Sequence, residues 1–277
     1  MSVLIVSGTG TEIGKTVVTA AIAAAAVAAG RSVAVLKPAQ TGVGPDEPGD
    51  AAEVVRLAGP SVTAVELARY PEPLAPDTAA RRAGLPTVSP AAVAEAANRL
   101  ALSHDLVLVE GAGGLLVRFD EAGHTLADAA RLLDAPTLLV APAGLGTLNS
   151  TVLSAEALRA RDLTALGVVV GSWPDTPDLA CRCNLADLPK SSGLPLLGAI
   201  PAGSGTLPPP LFRTTSPTWL APTLAGTWSP DSFLTTWSPP PFIPTASPTP
   251  AAPPTPAGHQ PAPPAFEARG PGRSPDL

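Results

Sequence analysis

The chain has 277 residues, enough for one large domain or two small ones; 45% are hydrophobic but only 4% aromatic, so a core has to be built from Ala, Val, Leu and Ile. A net charge of −6, with no polybasic block or basic amphipathic stretch, argues against nucleic acid or an anionic membrane surface as a partner. The two cysteines, Cys181 and Cys183, stand in one CRC triplet, poor spacing for a disulfide, and no clustered His completes a metal set. Free thiols in a reducing compartment follow, and the protein is expected to be cytoplasmic.

In chain order, Val3–Val6 predicts a buried strand and Thr16–Ala29 a helix closed by Gly30. The alanine run at 20–29 is too short for a membrane span, and it follows Lys15 instead of a charged amino-terminal region, so no signal peptide is expected. Ser32–Leu36 is the next strand and Asp50–Ala58 the next helix. Pro90–Leu102 is a third helix, with Ser89 as its cap before a proline at the first helical position. Leu106–Val109 is a strand that runs into EGAGG. Thr125–Leu133 (helix), Thr137–Val140 (strand), Leu148–Arg159 (helix), Leu166–Val170 (strand) and Leu196–Ile200 (strand) continue the alternation. Strands apolar on both faces, separated by helical patterns, predict an α/β fold with a mostly parallel sheet flanked by helices.

The composition changes near residue 206. From Ser238 to Leu277 there are 14 prolines, and no Asp, Glu, Lys or Arg lies between Ser238 and Ala265. Such a segment lacks the donors for regular structure, so residues 238–277 are expected to be a disordered proline-rich tail behind a domain spanning 1–237. Between these regimes, Trp219, Leu220, Trp228, Phe233 and Trp237 supply enough apolar mass to pack back on the domain.

The chemistry starts at Gly8-Thr-Gly-Thr-Glu-Ile-Gly14-Lys15-Thr16. Glycines let consecutive N–H groups curl around one anion, and a following helix adds unpaired amides and its positive dipole end. The pattern GxxxxGK[ST] would place its first Gly on Thr9, and Gly8 stands one residue earlier. The strand–loop–helix setting nevertheless reads as a P-loop, with Lys15 reaching the β- and γ-phosphates and the Thr16 hydroxyl available to Mg²⁺.

Ligands in open parallel sheets bind beyond the carboxyl ends of the strands. Lys37 ends VAVLK and is followed by PAQTG, which aims a second cation at the crevice that holds Lys15, as phosphoryl transfer among several anionic oxygens requires. Glu110 ends LVLVE at the same edge. Asp50 is read either as another oxygen ligand or as a helix cap. Thr16, Asp50 and Glu110 together form a hard-oxygen set suited to Mg²⁺, which keeps waters and substrate phosphates as its other ligands. His104, before a strand, and His124, in the turn DEAGHT, read as surface residues. Arg81 and Arg82, after LAPDTAA, read as a solvated helix face, with contact to a dimer partner or substrate as the alternative.

The ordered set GTGTEIGKT, KPAQTG, GDA, VEGAGG and GLGTLN, with IPAGSG and WLAP further on, resembles the ATP-dependent dethiobiotin synthetase family over residues 2–237. The resemblance implies a homodimeric P-loop ligase that makes dethiobiotin from 7,8-diaminononanoate, CO₂ and MgATP. By it, Lys37 and Lys15 act catalytically, Thr16, Asp50 and Glu110 ligate Mg²⁺, and Thr41 and Thr11 contact the diamine or its carbamate. The nucleotide is met by Glu12, Ile13, Gly14, Lys15, Thr16 and Val17, by Asp50, and by Glu110, Gly111, Ala112 and Gly113. Gly146, Thr147 and Leu148 receive the substrate's far carboxylate across the dimer interface, a role suited to a helix N-terminus. Some members carry an acid where this chain has Gly10. The family often reads adenine with an Asn after the sixth strand, where this chain has Gly171-Ser172-Trp173. Base recognition then rests on backbone groups, on Ser172, or on Pro201, Ala202 and Gly203.

The alternative reading is a partitioning or maturation ATPase that switches on a protein partner. Those proteins usually carry an additional lysine early in the P-loop, where this chain has Thr9 and Gly10.

Overall fold

The computed structural model describes residues 2–239, and the tail expected over 238–277 lies, but for its first two residues, outside the described residues. The elements run β1 (Val3–Gly8), α1 (Lys15–Ala28), β2 (Val33–Thr41), α2 (Asp50–Ala58), β3 (Thr63–Tyr70), α3 (Pro76–Ala83), α4 (Pro90–Ala101) and β4 (Leu106–Gly114). They continue α5 (Leu126–Leu133), β5 (Thr137–Ala141), α6 (Thr147–Arg159), β6 (Ala165–Trp173), α7 (Leu179–Ser192), β7 (Leu196–Pro201), α8 (Pro209–Thr215) and α9 (Pro230–Trp237). Seven strands form one sheet in the order β3-β2-β4-β1-β5-β6-β7, and every ladder between neighbours is parallel.

The strands are apolar on both faces because both faces are covered. Leu4, Val6, Leu106 and Leu108 belong to one core, and Val3, Ile5, Val107 and Val109 to another, so consecutive residues of a strand enter opposite layers. The first layer is packed by α1, α2, α6 and α7; the second by α3, α4 and α5. Ten of the 14 residues of α1 are buried, most of them alanines, which lets this helix lie close over the sheet. Trp219, Leu220 and Trp228 are buried in the first core, and Phe233 and Trp237 pack against it.

The helix expected from Ser89 is present, and the Ser89 hydroxyl accepts the Ala92 N–H. Four elements have no counterpart among the sequence expectations, β3, α7, α8 and α9, and α3 was anticipated only as the helix face at Arg81 and Arg82. β3 is an edge strand bearing Glu66 and Arg69, and α7 contains Pro189. Both features weaken the patterns by which such elements are read.

Chain crossing decides where the cleft lies. β1 sits between β4 and β5, the chain leaves it toward β2 on one side, and after β4 it passes to β5 on the other. Loops at the carboxyl ends of β1 and β4 therefore diverge, and a crevice opens between them.

Candidate active site

The P-loop follows directly from β1. Gly14 adopts φ +89° and Glu12 φ +55°, a turn that directs the first amides of α1 toward one point. Gly8 serves in place of the absent glycine at position 9: a Cβ on it would lie 2.8 Å from Ile13 Cδ1 and 3.0 Å from the Gly10 carbonyl. Lys15 curls back, its Nζ donating to the Gly10 carbonyl at 2.7 Å. Burial and the nearby Lys37 charge push the Lys15 ammonium below its ordinary pKa.

Lys37 does not end its strand, as the sequence suggested; β2 continues to Thr41. What ends is its pairing with β4, whose ladder stops at Leu36 opposite Val109, whereas pairing with β3 persists to Thr41. Pro38 has no N–H with which to extend a ladder. The sheet splays at this point, and the next residue on each strand, Lys37 and Glu110, faces the other across the gap. Lys37 Nζ lies 2.9 Å from Glu110 Oε1 and 2.5 Å from Asp50 Oδ2, and donates to the Gly111 carbonyl at 3.2 Å. Thr16 Oγ1 donates to the same Glu110 Oε1 at 3.0 Å. Burial penalises the Lys37 charge, but Glu110 and Asp50 more than compensate and hold its pKa above the ordinary value.

Asp50 is not a cap. Gly49 occupies the N-cap position of α2 and Asp50 is the first helical residue, with its carboxylate turned to Lys37. Asp50 and Glu110 therefore flank one ammonium, and Thr16 joins them through Glu110 Oε1. The donor set suits a hard divalent cation on two counts. A positive charge already sits between the two carboxylates, and Glu110 Oε2 is buried without a hydrogen-bond partner. Among the described residues no cluster of three or more His, Cys, Asp or Glu side chains exists, so a cation here would depend on a hydroxyl, water and phosphate for its remaining ligands.

The cleft encloses about 870 Å³ and is lined by Thr11, Glu12, Gly14, Lys15, Thr16, Val17, Lys37, Thr41, Asp50, Glu110, Ala112 and Gly113. Apolar residues line it too, Ala39, Val43, Leu74, Pro76 and Val117, and of these Leu74 and Pro76 follow the unrecognised β3. Gln40, inside the KPAQTG motif, was also passed over; it is 5% exposed and accepts the Asp50 N–H through Oε1.

The remaining expected residues lie elsewhere. Ile13 and Gly111 do not line the cleft, although both adjoin it in sequence. Gly171 packs behind the P-loop so closely that a Cβ there would stand 2.0 Å from the Ile13 carbonyl oxygen. Ser172 is exposed beside it, and the Pro201–Gly203 loop is tied to the same place by the Ala202 N–H, which donates to the Trp173 carbonyl at 2.7 Å. Gly146, Thr147 and Leu148 start α6 outside this chain's own cleft. Arg82 is paired with Glu72, His124 lies 2.8 Å from Asp120, and His104 Nε2 lies 2.9 Å from the Thr63 hydroxyl. No helix among the described residues is long and apolar enough to cross a membrane.

A phosphate loop, two buried ammonium groups and a facing carboxylate pair at the switch point of a parallel sheet define a P-loop nucleotide-binding protein. A family model described as an AAA domain matches residues 2–209. Over 222 residues the chain is 73% identical to the ATP-dependent dethiobiotin synthetase BioD of Streptomyces avermitilis, a match spanning 80% of this chain and 93% of that protein. It is 69% identical over 222 residues to the protein of the same name from Streptomyces coelicolor, with the same coverage of 80% and 93%. The chain belongs to the ATP-dependent dethiobiotin synthetase family. A ParA family ATPase from Chlorobium tepidum superposes with a TM-score of 0.51 at 14% identity, over 81% of this chain and 96% of that one, a likeness of fold alone.

Proposed function

We propose that the cleft converts 7,8-diaminononanoate, CO₂ and ATP to dethiobiotin, ADP and phosphate. The observation that carries this reading is the convergence of Lys15 and Lys37 with Asp50 and Glu110, in a chain so close to ATP-dependent dethiobiotin synthetases.

An amino group of the diamine adds to CO₂, losing a proton and leaving a carbamate. The carbamate oxygen attacks the γ-phosphorus, the bond to the ADP oxygen breaks, and a carbamic–phosphoric anhydride results. The second amine attacks its carbonyl carbon, closes the ureido ring and expels phosphate. Both reactants of the phosphoryl step are anions, so the protein's part is positioning and charge neutralisation. Lys15 and the α1 amides hold the phosphates. Lys37 brings its charge to the transferring group, and Thr41 and Thr11 orient the carbamate from the opposite wall. Thr16, Asp50 and Glu110 would hold Mg²⁺, which supplies further charge neutralisation across the phosphates when bound. The base lies along the flank of Gly171, Ser172 and Pro201–Gly203. Gly171 has no room for a Cβ, so the main chain and Ser172 take the place of an amide side chain.

Gly146, Thr147 and Leu148 serve the far carboxylate of a substrate held by the second subunit of a homodimer. The support is their position outside this chain's own cleft and the start of α6, whose N-terminus no side chain caps.

Purified protein should release ADP from MgATP only when diaminononanoate and bicarbonate are both supplied. Hydrolysis that ignores the diamine and rises with a protein partner would support the switch-ATPase reading instead.

A further inference from the structure

The approach to Asp50 is held by side chains on the outer strand. The segment 42–49 that precedes it contains three glycines and two prolines and belongs to no helix or strand. Nothing in that composition fixes where α2 begins, yet the Asp50 carboxylate has to meet a buried ammonium at 2.5 Å. Parallel pairing sets Glu66 of β3 opposite Lys37 and Arg69 opposite Gln40. From there Arg69 Nη1 donates to the carbonyls of Gly44 at 2.8 Å and Glu47 at 2.6 Å, tying down the segment at two points. Nε and Nη2 of the same guanidinium clasp Glu66 at 2.8 to 3.0 Å, which orients the fork.

Three of these groups converge on the residue before Asp50. A Cβ built on Gly49 would meet Glu66 Oε1 at 2.6 Å, Gln40 Oε1 at 2.8 Å and Arg69 Nη2 at 3.0 Å. Gln40 Oε1 then accepts the Asp50 N–H at 2.7 Å. A side chain at position 49 would have to displace the ends of Glu66, Gln40 or Arg69, so closely do these polar groups approach its Cα.

We infer that Arg69, oriented by Glu66 and completed by Gln40, is a positioning residue for the Asp50 carboxylate, acting through the 44–49 backbone from outside the cleft. This deepens the reading of Asp50 as a metal ligand, and it rests on that reading for metal affinity but not for backbone position.

Two measurements on the full chain test it, using Arg69→Met and Arg69→Lys. Lysine retains the charge but cannot hold two carbonyls and a carboxylate together, so it should fall between wild type and Arg69→Met. Amide hydrogen exchange over residues 44–51 should accelerate ~10-fold or more in Arg69→Met, and Mn²⁺ binding in the presence of ATP, followed by electron paramagnetic resonance, should weaken by ~10-fold, as for other residues that orient a metal ligand. ATP affinity in EDTA should stay within about twofold, because the P-loop is untouched. Adding Arg69→Met to Asp50→Asn should change Mn²⁺ affinity little further.

Unchanged exchange over 44–51 overturns the inference. So does Mn²⁺ affinity that falls in Asp50→Asn but not in Arg69→Met, or a loss of ATP affinity in EDTA as large as the loss of Mn²⁺ affinity. If Asp50→Asn leaves Mn²⁺ affinity intact, the ligand reading of Asp50 is what fails, and the inference is then decided by the exchange result alone.

Discussion

Lys37 is 3% exposed on its side chain and shares its ammonium among Asp50, Glu110 and the Gly111 carbonyl, while Glu110 is 1% exposed. Removing Lys37 leaves the Glu110 carboxylate buried and uncompensated, which typically costs about 3 kcal/mol or more, whereas the Asp50 side chain is 36% exposed and can turn to water. Lys37→Ala should therefore have two signatures. Turnover should fall by at least ~10²-fold with MgATP affinity largely kept, because the lost charge acts on the transferring group. The thermal midpoint without divalent cation should drop, and Mg²⁺ should raise it more in the variant than in the wild type, since the carboxylates then lack their built-in cation. A variant whose nucleotide affinity collapses would place Lys37 with the phosphate cradle instead. Gly171 provides a second test. Its notional Cβ would also sit 2.7 Å from Val140 Cγ1, and a Cβ on Gly14 would sit 2.4 Å from the Gly171 carbonyl oxygen, so loop and strand end touch backbone to backbone. Gly171→Ala should push the P-loop outward and lower ATP affinity by about 10-fold or more, measured by calorimetry, since small displacements at such sites are costly.

At the scale of elements, residues that follow directly from a buried strand were legible. Lys15 and Thr16 come after β1 and Glu110 closes the apolar run of β4, so their common edge follows from parallel topology. The bounds of α2 were also read correctly, yet the reason Asp50 stands where it does was not. That reason resides in β3, whose residues are half-exposed and whose charges mask its periodicity. β2 was read short for a related cause: Pro38 is a strand breaker in sequence, and here it marks the point where β2 and β4 part. The alanine-rich face of α1 carries its own expectation. Ala20, Ala21, Ala23 and Ala26 are all fully buried, and in a layer this tight Ala23→Leu should destabilise by roughly 1–3 kcal/mol in urea unfolding. A neutral result would mean that α1 can lift away from the sheet without loss.

At the scale of the whole molecule, α9, the last helix among the described residues, sets a practical boundary. Trp237 and Phe233 of α9 meet Trp173 edge-on, with ring centroids 5.8 Å and 5.3 Å away, and Trp228 lies 5.4 Å from Phe233. Trp173 is two residues past Gly171 on the same strand, so this cluster buttresses the proposed base flank. Ending the chain after residue 239 should leave kcat and the unfolding midpoint unchanged. Ending it after residue 229, which removes both α9 aromatics, should lower the midpoint and raise the apparent KM for ATP. Equal damage from both truncations would show that residues 240–277 contribute to the working enzyme.

The same stack gives the protein an intrinsic optical reporter. Trp173 is buried beside the strand end proposed to meet the nucleotide base, and its indole Nε1 has no hydrogen-bond partner. Its ultraviolet emission should consequently shift as the neighbouring loop tightens around a ligand, with no dye attached. In a background where Trp219, Trp228 and Trp237 are replaced by Phe, a single fluorophore would follow nucleotide arrival in real time, separating the speed of loading from the speed of ring closure.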